Sequence, residues 1–228
     1  MPRLAGAVIP GSPHHVTQRG NNRQDVFFVD DDRRTYLDIL FRQSRLFGLA
    51  IEGYCLMTNH IHLIAVPSRP DSLAKALGRT DWRYTQYVNR FHERTGHLWQ
   101  NRFFSCAVDD AHWWTALCYV ELNPVRAGLV RRAREYEWSS AGTHCRGGDP
   151  GGLLDLTRWR DLTRRLNWKE CPRSPAANKF ADTIRRHTAT GRPLGTDGWL
   201  AKMEVALGRR LRALPIGRPR KPPKKWRL

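Results

Sequence analysis

His60 and His62 stand one residue apart in MTNHIHLIAVP (57–67), at the start of a short apolar run. In a strand beginning near His60, side chains alternate, so His60, His62, Ile64 and Val66 share one face while Ile61, Leu63 and Ala65 share the other. Two imidazoles emerging side by side can grip one metal ion from one side, and a third ligand from elsewhere would leave positions open for substrate. Two hydrogen-bonded histidines near a strand end fit the same spacing, which does not choose between them. A second segment, CYVELNPVRAGLV (118–130), carries matched chemistry. On a helix, Tyr119 and Asn123 are four apart and project from one side, offering a phenol as nucleophile and an amide oxygen as ligand. A core tyrosine and a helix-end asparagine before Pro124 fit equally, and periodicity does not exclude Tyr36, Tyr54, Tyr84, Tyr87 or Tyr136 as the nucleophile.

The elements that must position these residues are legible in outline. His15–Arg19 reads as a strand followed by the turn Gly20–Asn22; Asp30, Asp31 and Asp32 can cap a helix running to Phe47, which Gly48 ends. Leu49–Met57 and His60–Val66 read as a hairpin. Asp71 or Ser72 can start a second long helix through Arg94, Phe103–Val108 reads as a fourth strand, and Asp109 or Asp110 can cap a third helix ending near Asn123. The order strand, helix, strand, strand, helix, strand predicts an α+β fold, a ferredoxin-like or RRM-like antiparallel sheet with two helices on one face and the other face available to a partner.

Beyond about Gly142 the texture changes to RGGDPGG. The expected organisation is a catalytic domain over 1–141, a linker and short helical extension over 142–208 with helices at Trp159–Trp168 and Asp197–Leu211, and a flexible basic tail over 209–228. That tail carries nine Lys or Arg, no acid and four prolines. Over the whole chain of 228 residues, 39 Lys and Arg against 21 Asp and Glu give a net charge of +18. Such a balance favours a polyanionic partner, nucleic acid first, through counterion release. Five scattered cysteines without a CxxC pair suggest neither a zinc ribbon nor a disulfide framework, but thiols in a reducing compartment. No secretory or membrane-spanning run is present, so the cytoplasm, at the nucleoid, is the expected location.

Five segments together resemble the single-tyrosine HUH transposase superfamily, most closely its REP-associated tyrosine transposase branch, relatives of the IS200/IS605 transposases. They are HHVTQRGNNRQDVFF (14–28), YCLMTNHIHLIAVP (54–67), GHLWQNRFFSCAV (96–108), YVELNPVRAGLV (119–130) and YEWSS (136–140), in the family's order. The resemblance implies that His60 and His62 are the paired histidines of the HUH motif, that Tyr119 is the nucleophile, and that Asn123 stands where relatives often carry a metal-binding glutamine. It implies a divalent cation, Mg2+ or Mn2+, and cleavage of single-stranded DNA hairpins, repetitive extragenic palindromes, through a 5′-phosphotyrosine intermediate.

Arg19, Arg23, Arg102 and Arg126 lie in or beside these motifs and could bind phosphates or read a guanine; solvated charge fits them as well. Trp99 and Phe103 could stack on bases or pack in the core. In the tail, IGRPRKPPKKW (216–226) resembles extensions of some REP-associated members, and Arg218 and Arg220 sit in a Gly-Arg-Pro context suited to an A·T minor groove or to nonspecific phosphate contact. Monomer and homodimer are both compatible. Two other readings remain: a single-strand-binding module that tolerates loss of His60, His62 and Tyr119, and a metal-dependent nuclease that uses water and needs only the histidines.

Overall fold

Strand, helix, strand, strand, helix, strand is the order found in the computed structural model, which describes residues 6–163 and 175–213. The elements are β1 (His14–Arg19), α1 (Asp30–Leu46), β2 (Leu49–Met57), β3 (His60–Pro67), α2 (Ser72–Phe91) and β4 (Phe104–Ala107). All pairings are antiparallel and the strand order is β2-β3-β1-β4, the ferredoxin-like arrangement expected from the sequence. After β4 the chain forms α3 (Asp110–Glu121), α4 (Asn123–Arg126), α5 (Ala141–Arg146), α6 (Thr157–Thr163), α7 (Pro175–Thr190) and α8 (Asp197–Leu207).

Strand alternation sorts the apolar side chains into two cores. Val16, Leu56, Ile61, Leu63 and Ala65 pack with Tyr36, Leu40, Leu77 and Tyr84 of α1 and α2. On the opposite face Cys55, Ile64 and Cys106 pack with Trp113, Leu117 and Val120 of α3 and with Ala181 and Ile184 of α7. The expectation of an open second face is therefore corrected: α3 and α7 cover it, leaving only a cleft. Helix α7 itself was not anticipated, although Ala181, Ile184 and Thr188 are buried at helical spacing. Helix α8 starts at Asp197 as expected but stops at Leu207, because Gly208 adopts a left-handed conformation with φ 59° and closes it.

Two local features bring α3 close to the sheet. The register of β2 against β3 shifts between Ile51 and Gly53, a bulge at Glu52. Gly53 then lies under α3, where an added Cβ would sit 2.4 Å from Leu117 Cδ1. At its start, α3 is capped by Asp109, whose Oδ1 accepts from His112 N at 3.0 Å. Cys118 is disulfide-bonded, against the expectation of free thiols throughout, while Cys55 and Cys106 are buried free thiols. Among the described residues no helix is long and apolar enough to cross a membrane.

Candidate active site

Register alone assembles the sheet side of the site. Cross-strand pairing sets Cys55, His62, Thr17 and Phe104 in one row, with Met57, His60 and Arg19 in the row on one side and Ile64, His15 and Cys106 in the row on the other. These side chains face α3 and α7, and between them lies a cavity of about 590 Å³ lined by His15, Thr17, Arg19, His60, His62, Tyr119, Asn123, Arg126, Arg185 and Thr188. The His60 and His62 rings lie edge to face with centroids 5.0 Å apart, and His62 meets the Tyr119 ring at 5.6 Å.

Hydrogen bonds set what each imidazole can offer. His60 Nδ1 lies 2.6 Å from Asn59 Oδ1, and Asn59 Nδ2 donates to the Arg23 carbonyl at 3.1 Å. With its amide so oriented, Asn59 accepts from His60 Nδ1–H, which leaves the Nε2 lone pair of His60 open. The turn that holds the Arg23 carbonyl is tight, with Asn22 and Arg23 at φ 50° and 61°. His62 Nδ1 is 2.9 Å from His15 Nε2, and His15 Nδ1 is 2.7 Å from Thr188 Oγ1 on α7. Burial holds all three imidazoles neutral at pH 7. His15 is pushed down to about 3 by desolvation and then by Arg126, His60 to about 4 by desolvation and then by Arg19, and His62 well below the usual range by desolvation and then by its histidine neighbours.

An Asn-Pro step shapes the other side. Pro124 has no N–H for the Val120 carbonyl, so α3 ends at Glu121 and Asn123 begins the separate turn α4. The expectation of Tyr119 and Asn123 on one continuous helix is thus corrected. Asn123 Nδ2 instead donates to the Tyr119 and Val120 carbonyls at 3.0 and 3.1 Å. Its nitrogen committed in this way, Asn123 has only its amide oxygen left to offer as a ligand. Arg126 donates to the Tyr119 carbonyl at 2.6 Å and lies over the phenol ring at 4.5 Å. Arg185 of α7 donates to the Tyr119 hydroxyl through Nε at 3.3 Å.

The structure therefore brings His60, His62, Tyr119, Asn123, Arg19 and Arg126 to one cavity. Arg23 is exposed on the adjoining turn, and Arg102 is exposed at a second cavity of about 830 Å³ shared with Gln18, Trp82 and Phe103. Arg218 and Arg220 lie outside the described residues. Trp99 is buried in the core under α1 and α2, and Phe103 packs against that core. Sequence reasoning missed His15, Arg185 and Thr188. His15 was visible through strand alternation, which puts it on the face of Thr17 and Arg19; Arg185 and Thr188 were visible only through the periodicity of 181–188. Among the described residues no group of three or more His, Cys, Asp or Glu that could hold a metal ion is found.

Four buried histidines make stability depend on pH. His14, held down to about 4 chiefly by desolvation, joins His15, His60 and His62 in binding protons more weakly folded than unfolded. Between the unfolded value of about 6.5 and the folded values near 4 and 3, the unfolded chain holds more protons, so stability falls as pH falls. Urea midpoints measured from pH 7.5 to 4.5 should be level above pH 7 and then drop. The expected slope is about 1.4 kcal/mol per pH unit for each histidine that stays neutral in the fold; a flat profile would contradict it.

Comparison with known proteins places this geometry among relatives. Residues 11–123 match the family described as "Transposase IS200 like". A Haemophilus influenzae protein provisionally named a REP-associated tyrosine transposase is 28% identical over 97 residues, covering 38% of this chain and 55% of that protein, so the match spans about half of its length. A solved structure of a REP-associated tyrosine transposase bound to a REP hairpin superposes with a TM-score of 0.56 at 19% identity, covering 69% of this chain and 96% of the other, a likeness of fold. A Deinococcus radiodurans structure provisionally described as a transposase gives a TM-score of 0.37 at 22% identity, covering 49% and 88%.

Proposed function

Because residues 11–123 of this chain belong to the IS200-like transposase family, we propose that the protein cleaves and rejoins single-stranded DNA beside REP-type hairpins. Tyr119 is the nucleophile, and His60, His62 and Asn123 hold a divalent cation, Mg2+ or Mn2+. One observation carries this reading: Tyr119, both histidines and Asn123 meet in a single cavity bordered by Arg19, Arg126 and Arg185. The donor set fits a cation that keeps positions for substrate oxygens, since both imidazoles are neutral and His60 and Asn123 each have a donor atom left open. When bound, the cation supplies Lewis-acid polarisation of the scissile phosphate.

The chain's own residues account for the remaining steps. Arg19 and Arg126 attract and orient phosphate oxygens, and Arg185 donates through Nε to the Tyr119 hydroxyl and holds it in the cavity. Tyr119 Oη attacks phosphorus; a bond to the phenol forms, the bond to the 3′ oxygen breaks, and a 3′-hydroxyl leaves. The resulting 5′-phosphotyrosine ester conserves the bond, so attack by a 3′-hydroxyl rejoins the strand without ATP. Net charge of +18 suits a polyanion, and the likeness to a protein bound to a REP hairpin supports hairpins as the partner.

Labelled single-stranded REP hairpins incubated with the protein and Mn2+ should give a covalent protein-DNA band on a denaturing gel. The band should vanish with chelator and in His60→Ala. Arg185→Ala should slow its formation by about 10²-fold, the scale of losing one donor aimed at developing charge. Cleavage without any adduct would instead indicate a water-using nuclease, and binding without cleavage a DNA-binding module.

A further inference from the structure

His62 faces the cavity with one nitrogen only if its other nitrogen is committed elsewhere, and the group opposite that nitrogen is His15. The chain of contacts runs from His62 Nδ1 to His15 Nε2 at 2.9 Å, from His15 Nδ1 to Thr188 Oγ1 at 2.7 Å, and from Thr188 Oγ1 to Cys106 Sγ at 3.2 Å. All four residues are buried, His15 at 1% exposure and Thr188 at 2%. The His15 and His62 rings stack 19° from parallel with centroids 5.2 Å apart, so His15 also fixes the plane of its neighbour.

A hydrogen bond between two neutral imidazoles has one donor and one acceptor, so the chain must run in one direction. If His15 donated, His62 would carry its proton on Nε2 and present an N–H to a cavity that Arg19 and Arg126 border. A lone pair facing those two guanidiniums is the favoured arrangement, and it is the one that can take a cation. We propose that His15 and Thr188 are positioning residues for the cation site: His62 Nδ1–H donates to His15 Nε2, His15 Nδ1–H donates to Thr188 Oγ1, and the Nε2 lone pair of His62 is thereby turned to the cation. The inference rests on the reading that His62 is a metal ligand, and it makes α7, 173 residues along from His15, part of that site. Partners behind metal-binding imidazoles commonly govern affinity by about 10- to 100-fold.

Two readouts on the full chain test this. Nitrogen NMR of the imidazoles in metal-free protein at pH 7.5 should show His62 protonated on Nδ1, and Thr188→Val should broaden or mix the tautomers of His15 and His62. Calorimetric titration with Mn2+ should give about 10- to 100-fold weaker binding in His15→Phe and a smaller loss in Thr188→Val. His15→Gln should recover most of the affinity, since its amide oxygen accepts from His62 while its amide nitrogen donates to Thr188. A wild-type His62 protonated on Nε2, or His15→Phe binding Mn2+ as tightly as wild type, would overturn the inference. Should wild type itself take up no Mn2+, the cation reading under Proposed function falls, and the tautomer of His62 still decides the direction of the chain. If His15→Phe fails to fold, Thr188→Val carries both readouts.

Discussion

Tyr119→Phe is expected to abolish the covalent protein-DNA band while leaving hairpin binding within a few-fold of wild type. Only one oxygen is removed. The ring stays against His62 at 5.6 Å and His15 at 5.4 Å, and Arg126 still stacks on it at 4.5 Å. The hydroxyl accepts from Arg185 Nε, whose side chain is half-exposed on α7 and can turn to solvent. Stability should therefore change by less than about 1 kcal/mol, the net scale of one hydrogen bond. Cleavage should fall by about 10⁴-fold or more, as when other covalent enzymes lose their nucleophile. Single-turnover cleavage on a sequencing gel checks the rate, and a gel shift in 50 mM and 200 mM salt, taken as round working conditions of about these values, checks the binding. Residual cleavage at the wild-type rate would mean that water or another tyrosine is the nucleophile.

The second large effect concerns stability. Glu121, at the last turn of α3 and fully buried, accepts from Ser140 Oγ and from His144 Nδ1 on α5, each at 2.5 Å. His144→Ala removes one of these donors and leaves the buried carboxylate with Ser140 Oγ but without its imidazole, which should cost about 3–5 kcal/mol. Replacing both residues with leucine should cost less than the single change, because the buried charge goes with its partner. Urea denaturation of the two variants checks this ordering. Since Tyr119 stands two residues before Glu121, partial loosening of α3 in His144→Ala should also lower adduct yield at temperatures where most of the protein is folded.

The βαββαβ core was legible because each element carries its own local signal: alternation in HVTQR and HIHLIAV, Asp109 before α3, Pro124 after it. Tyr119 and Asn123 were legible as neighbours, yet the reason they meet was not. A continuous helix would set Asn123 one turn above Tyr119, whereas the break at Leu122 lets its side chain fold back onto the carbonyls of α3. His15 was read as strand and nothing more, because a lone histidine acquires its partner only when β1 pairs with β3. Arg185 and Thr188 depend on a helix that docks through apolar residues such as Ala181 and Ile184. Local propensity says little about where such a helix lands, since tertiary burial decides it.

The contact between His15 and Thr188 also has a schedule. During synthesis at about 5–20 residues per second, residue 188 is added roughly 9–35 s after residue 15. The β1–β4 core, complete by Ala107, has time to form with its histidine pair in register before α7 exists. A nascent chain thus carries His15, His60, His62 and Tyr119 before it has the helix that supplies Thr188 and Arg185.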